Sequence, residues 1–379
     1  MENTGLIEYI RKIKEHKLPE SEYIPQIDSF LLNHSAAANF PYSGTFELTP
    51  LCNFDCKMCY VHLGMSDDVK RRMLSTEQWK DIMSQAIDAG LCSATLTGGE
   101  VLTRDDFEEI YLYLYDCGIV PSILTNGSLL NDNRIEFLKK YPPKKMQITL
   151  YGCSDDIYES VTGRRVFGTV LENIKKIIAA ELNLQLAITP NKYMNGTAEE
   201  TYRLAYSLCR NTIFNAALKT PRSETGRTID GADISIDEYI RLHHIKAELT
   251  GATVFPKCES EDDLPDIPEF NSNTISRGLR CNAARNSFQV SWDGTMYPCS
   301  SLRECGASPL ENGFDASWKK INEYVLNYPA PVECVGCKYE KACLHCVAVH
   351  RDGAPLGHAD PRICLLGRKM VSEGLVKLD

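Results

Sequence analysis

The chain has 379 residues, of which 43% are hydrophobic and 16 are cysteine, and its formal net charge is −10. That length and apolar content suit two domains with a buried core, while the acidic balance argues against a general nucleic-acid binder. No run is long enough to cross a membrane, since the stretch from Tyr111 to Leu124 is broken by Asp116 and Pro121. The N-terminal stretch MENTGLIEYIRKIKEHKLPE is charged throughout and does not read as a secretory signal. Without export, so many cysteines point to metal binding rather than disulfides, and to a reducing cytoplasm.

Residues 1–42 read as a short helical segment, with Leu6, Ile7, Ile10 and Ile13 on one helical face and Pro19, Pro25 and Pro41 as breaks. From Ser43 to about Asp233, strand and helix patterns alternate, the sign of βα units and a parallel sheet. The strands are expected at Thr45–Thr49, Ser93–Thr97, Pro121–Leu124, Met146–Leu150, Gln185–Thr189 and Thr212–Leu218. Ser75 and Gln78 form a capping box for a helix through Asp88. A second helix follows Asp105 and Asp106, and Val170, Leu171, Ile174, Ile177 and Ile178 make the buried stripe of a third. Residues 235–278 read as a connector: Ser235 caps a helix to about Leu249, and an acidic, proline-rich loop follows. Around Asp293-Gly294, residues 288–297 predict a β-hairpin.

Chemistry concentrates between Thr49 and Tyr60, where Cys52, Cys56 and Cys59 form a C-x3-C-x2-C array. Three thiolates that close in sequence can hold three corners of a 4Fe–4S cube and leave the fourth iron open. A structural zinc ion would want a fourth ligand, and none has matching local spacing. At the end of the second expected strand stands Gly98-Gly99-Glu100, whose glycines permit a tight turn and close approach to the backbone. Thr125-Asn126 ends the third strand and Thr149 the fourth. The C-terminal region carries Cys281, Gly294 and Cys299. Cys334-x2-Cys337-x5-Cys343-x2-Cys346 and Cys364 follow. Read alone, such pairs also suit one or two zinc sites.

On these residues the chain resembles the radical S-adenosylmethionine enzymes. The resemblance implies a partial (β/α)6 TIM-type barrel over 43–234, with its site at the C-terminal ends of the strands. It implies that Cys52, Cys56 and Cys59 ligate the cluster whose open iron holds S-adenosylmethionine. Gly98, Gly99 and Glu100 would accept from its amino group, Thr125 and Asn126 would contact the ribose, Met58 would lie near the adenine, and Thr149 and Arg165 would complete the contacts.

The C-terminal pattern resembles the seven-cysteine SPASM extension, over 279–379, of radical enzymes that modify peptides. Two residues, Leu344 and His345, separate Cys343 from Cys346, where the family form has three. The family pairing implies two auxiliary 4Fe–4S clusters. One would take Cys334, Cys337, Cys343 and Cys364. The other would take Cys281, Cys299 and Cys346, with Cys305 as nearest spare thiol and Cys258 as the alternative. The expected activity is hydrogen abstraction from a ribosomally made precursor peptide to form a thioether or carbon–carbon cross-link. A flavodoxin or ferredoxin would donate the electron, and a separate peptide-recognition protein would fit beside it. The alternatives are an anaerobic sulfatase-maturing enzyme, against which stands Ser300 where those relatives carry Asp, and an iron–sulfur or zinc binding protein.

Overall fold

The computed structural model describes residues 31, 34–61, 63–215, 218–219, 221–222, 225–226, 231–257, 278–279, 281–339, 342–343 and 346–378. Cys258, the acidic loop and nearly all of the N-terminal helical segment lie outside them.

Six strands run parallel: β1 (Ser43–Glu47), β2 (Ser93–Thr97), β3 (Ser122–Thr125), β4 (Lys145–Thr149), β5 (Leu184–Ile188) and β6 (Thr212–Phe214). Between them lie helices α1 (Asp67–Arg72), α2 (Thr76–Asp88), α3 (Phe107–Asp116), α4 (Asp132–Lys140), α5 (Asp155–Thr162), α6 (Phe167–Ala179) and α7 (Ala198–Leu208). This is a partial (β/α)6 barrel. The strands fall within a residue or two of expectation, except that the last stops at Phe214 rather than Leu218. Helix starts follow local chemistry. Ser75 caps α2 in the expected box, because its hydroxyl accepts from Gln78 N while the Gln78 side chain accepts from Ser75 N. In α6, Val170, Ile174 and Ile177 are buried as expected, whereas Ile178 is 39% exposed. It lies one residue beyond the inward stripe and turns outward.

After α8 (Ile236–Thr250), the expected hairpin appears as β7 (Ser287–Val290) and β8 (Met296–Tyr297), antiparallel. Its pairing goes beyond what the hairpin motif predicts. β7 lies parallel to β1, with Ser43 opposite Ser287 and Phe46 opposite Val290. The result is one eight-stranded sheet in the order β6-β5-β4-β3-β2-β1-β7-β8. Phe46 anchors this junction, edge-on to both Trp79 and Phe288 with ring centroids 6.3 and 5.9 Å away. The helices α9 (Pro309–Asn312), α10 (Phe314–Leu326), α11 (Val347–Gly353) and α12 (Pro361–Ser372) complete the chain. No described helix is long and apolar enough to cross a membrane.

Candidate active site

The cysteine loop leaves the C-terminal end of β1 and is pinned where it turns. Asp55 N and Lys57 N donate to the carbonyls of Thr162 and Val161 at the end of α5, and Cys59 N donates to Cys56 O. Phe54 and Met58 point inward and are buried. Backbone N–H of Phe54 reaches Cys52 Sγ at 3.3 Å, and the Tyr151 hydroxyl bonds the Cys56 sulfur. The three sulfurs lie within electrostatic reach of one another. Burial pushes the Cys52 thiol up to about 12, helped by the nearby Glu100 carboxylate and Cys59. Burial, then Cys59 and Cys52, push Cys56 up as well.

Next to this loop, the turn after β2 is stapled to the residues before Cys52. Gly99 N donates to Thr49 O at 2.7 Å and Glu100 N to Leu51 O at 2.8 Å. A Cβ on Gly98 would fall 2.7 Å from Thr49 O, and one on Gly99 2.3 Å from Leu51 O. Glycine is required here by the closeness of two backbones rather than by an unusual φ.

Glu100 turns away from the role of ligand acceptor. Its carboxylate is buried and accepts from Leu102 N, the Thr125 hydroxyl and Asn126 N. Burial raises its pKa and these donors oppose the rise. These bonds tie the β2 turn to the β3 turn. Asn126 extends the tie, donating to Asn53 Oδ1 at 2.8 Å and accepting from Ser128. Arg165 also departs from expectation. Its guanidinium is held on the surface between Asp156 and Glu159 of α5, at 2.6 and 2.8 Å. Those carboxylates are its nearer partners, so it does not enter the cavity.

A cavity of about 860 Å³ opens over these elements. Cys52, Cys56, Cys59, Met58, Gly98, Gly99, Thr125, Asn126 and Thr149 all line it. Residues that the motifs did not single out for a role line it too: Tyr60, Tyr151, Lys219, Arg222 and Arg303. None of these five is marked by a spacing rule.

Cys346 lines the cavity from the far side. Cys281 and Cys299 lie near it, each feeling the Cys346 sulfur. Cys305 does not join them. It packs against α10, with its thiol toward Lys320 O and near Tyr324. Elsewhere Cys337 lies beside Cys364, and Cys343 packs on Gly367, one turn along α12.

The Cys52, Cys56 and Cys59 set suits an iron–sulfur cluster. A buried, uncharged thiol becomes a thiolate only beside strong positive charge, which irons provide. Among the described residues, no three His, Cys, Asp or Glu side chains converge closely enough for a single metal ion. Sulfurs at the corners of a cube stand farther apart than ligands of one zinc.

Residues 46–205 match the family model of the Radical SAM superfamily. The chain carries a radical SAM domain. As a radical SAM protein it is an enzyme, and the family implies a 4Fe–4S cluster and S-adenosylmethionine. Two curated relatives are informative. The "AdoMet-dependent heme synthase" of Methanosarcina barkeri is 24% identical over 83% of this chain and 93% of that protein. The "Sporulation killing factor maturation protein SkfB" of Bacillus subtilis is 29% identical over 53% of this chain, which spans 48% of that protein. Among solved structures, Streptococcus suis SuiB bound to precursor peptide SuiA superposes with a TM-score of 0.65, covering 95% of this chain and 89% of that one at 15% identity. This last likeness concerns the fold of the radical SAM protein and its cysteine-rich C-terminal region.

Proposed function

We propose that this radical SAM enzyme acts on a ribosomally made precursor peptide and forms a cross-link within it. The observation that carries the reading is one cavity lined by the three cysteines of the β1 loop, by the Gly98-Gly99 turn and by Cys346. Its volume lies near the top of the range for small-ligand sites, which leaves room for a substrate beside S-adenosylmethionine. Maturation proteins among the relatives support a peptide substrate.

When bound, the cluster and S-adenosylmethionine would supply a 5′-deoxyadenosyl radical able to take hydrogen from an unactivated C–H bond. Cys52, Cys56 and Cys59 would hold the cluster. The Gly98 and Gly99 carbonyls would accept from the cofactor's amino group, and the Thr125-Asn126 turn would meet its ribose. The Met58 thioether would lie near the adenine, and Thr149 would offer its hydroxyl from the end of β4. Phe54 and Tyr151, with ring centroids 6.0 Å apart, keep water from the loop.

Residues 279–379 act as an auxiliary-cluster domain. Cys334, Cys337, Cys343 and Cys364 hold one cluster. Cys281, Cys299 and Cys346 would hold the other, with Cys258 or a substrate sulfur as its fourth ligand. A flavodoxin or ferredoxin supplies the electron, and a separate recognition protein presents the peptide.

The test is anaerobic reconstitution followed by dithionite and S-adenosylmethionine. Release of 5′-deoxyadenosine is expected, with mass loss on a precursor peptide encoded beside the gene. Oxidation of a sulfatase-type Ser or Cys peptide to formylglycine would move the assignment to the sulfatase-maturing alternative. No deoxyadenosine would reject both.

A further inference from the structure

Lys219 follows β6 and stands in the wall of the cavity against Tyr60, at the end of the cysteine loop. It is exposed to solvent, yet that solvent is the cavity itself. Its ammonium donates to Ser300 Oγ at 2.7 Å and to the Tyr60 hydroxyl at 3.4 Å, and it lies 4.6 Å from the centre of the Tyr60 ring. Both oxygen partners are hydroxyl groups. Among the described residues, no carboxylate pairs with it, and a donor is left unspent. The Tyr60 oxygen, the largest influence on it, keeps the ammonium charged against the opposing cost of burial.

The other charges nearby make this an oddity in an acidic protein. Of the three cavity-wall arginines, Arg351 is paired with Glu304, and Arg303 stacks 4.1 Å from the Tyr297 ring. Arg222 is ion-paired with Glu47. Glu304 is the one carboxylate among the lining residues of the described chain, and it is already matched. The wall therefore presents net positive charge, with Lys219 as its accessible point. An ammonium steadied by two hydroxyls and a ring face is preset for an incoming anion, since it need not break an ion pair to bind.

We infer that Lys219, held by Ser300 and Tyr60, is the binding point for a carboxylate of the substrate, namely an Asp or Glu side chain of the peptide. This rests on the peptide reading above and adds its specificity. The methionyl carboxylate of S-adenosylmethionine has the same chemistry. Lys219 bridges Tyr60 of the β1 loop and Ser300 of the C-terminal region, and the experiment separates the two sources.

The experiment uses the full, reconstituted chain and two kinds of probe. One is S-adenosylmethionine, measured by equilibrium dialysis. The other is a set of labelled decapeptide pools, identical except that varied positions hold Asp and Glu, Asn and Gln, or Lys, measured by anisotropy. Wild type is expected to bind the acidic pool about tenfold more tightly than the amide pool, the scale of one charge-assisted bond. Lys219→Gln should erase that preference, Lys219→Arg should keep most of it, and Lys219→Glu should turn it toward the Lys pool. Affinity for S-adenosylmethionine should stay within about twofold, which also shows that the variants are folded. If Lys219→Gln binds peptides with the acidic preference intact, the inference is wrong and the peptide reading survives. If Lys219→Gln loses affinity for S-adenosylmethionine instead, the carboxylate belongs to the cofactor and the inference is overturned. Should wild type bind S-adenosylmethionine but none of the pools, the peptide reading fails and takes the inference with it.

Discussion

The Arg222 guanidinium grips the Glu47 carboxylate through two bonds of 2.6 Å, with both side chains almost wholly removed from solvent. Glu47 ends β1, in the middle of the sheet, and Arg222 follows β6 at its far edge. The pair therefore spans the open side of the partial barrel. Gln289 of β7 adds a bond to Glu47 at 2.9 Å, and Arg222 N donates to Tyr60 O. Barrel edge, cysteine loop and C-terminal hairpin meet at this one contact. Arg222→Met should leave the Glu47 charge buried and unpaired, at a cost of about 3–5 kcal/mol. The double change of Glu47 and Arg222 to Met should recover most of that. Urea unfolding measures both, and an Arg222→Met protein as stable as wild type would refute the role.

Gly99 can be tested separately from catalysis. Its Cβ would press on Leu51 O at 2.3 Å, and backbone cannot swing aside as a flexible side chain can. Gly99→Ala should destabilise the chain by about 1–3 kcal/mol and lower iron retained after reconstitution. An Ala variant with full stability and iron content would show that the two backbones separate freely.

The cluster cysteines can be told apart from Cys305, the spare thiol nearest them. Reconstituted wild type should carry roughly 12 irons. Cys52→Ala, Cys56→Ala and Cys59→Ala should each abolish deoxyadenosine release and remove about four irons. Cys346→Ala should remove a different set of about four while cofactor cleavage persists. Cys305→Ala should change neither count nor spectrum, because its thiol faces Lys320 O. Loss of a cluster in Cys305→Ala would restore it as the fourth ligand.

His243 on α8 gives the fold a pH dependence. Burial, with Lys246 and His244 nearby, lowers its pKa from 6.5 to about 4. It lies against Tyr239 at 4.6 Å, and its Nε2 has no bonding partner among the described residues. The folded state keeps the ring neutral while the unfolded chain binds the proton. Its contribution is thus intact above 6.5 and is lost as pH falls toward 4. Since the ring is only partly shielded, the loss should be on the order of 1 kcal/mol. Melts at pH 7 and pH 5 should show a smaller drop for His243→Gln than for wild type. Equal drops would place the dependence elsewhere.

Sequence alone determined the features whose cause is local. The β1-loop triplet, the glycine turn after β2, the capping box at Ser75 and the Asp293-Gly294 hairpin each arise from neighbours along the chain. Their spacing sets their backbone chemistry before any tertiary contact forms. The six strands were legible for the same reason, because alternation and burial follow from residue order. Tertiary structure decided what depends on groups far apart in sequence. β7 pairs with β1 across some 240 residues, and Glu47 meets Arg222 across 175. Arg165 faces outward because two carboxylates on α5 are nearer than the cavity. Glu100 spends its oxygens on the β3 turn, since only the sheet brings Asn126 beside it. Lys219 becomes a cavity cation only when β6 sets it against Ser300 of the C-terminal region. Such pairings are chosen by which partners the packed sheet brings within bonding reach, and residue spacing carries no record of that.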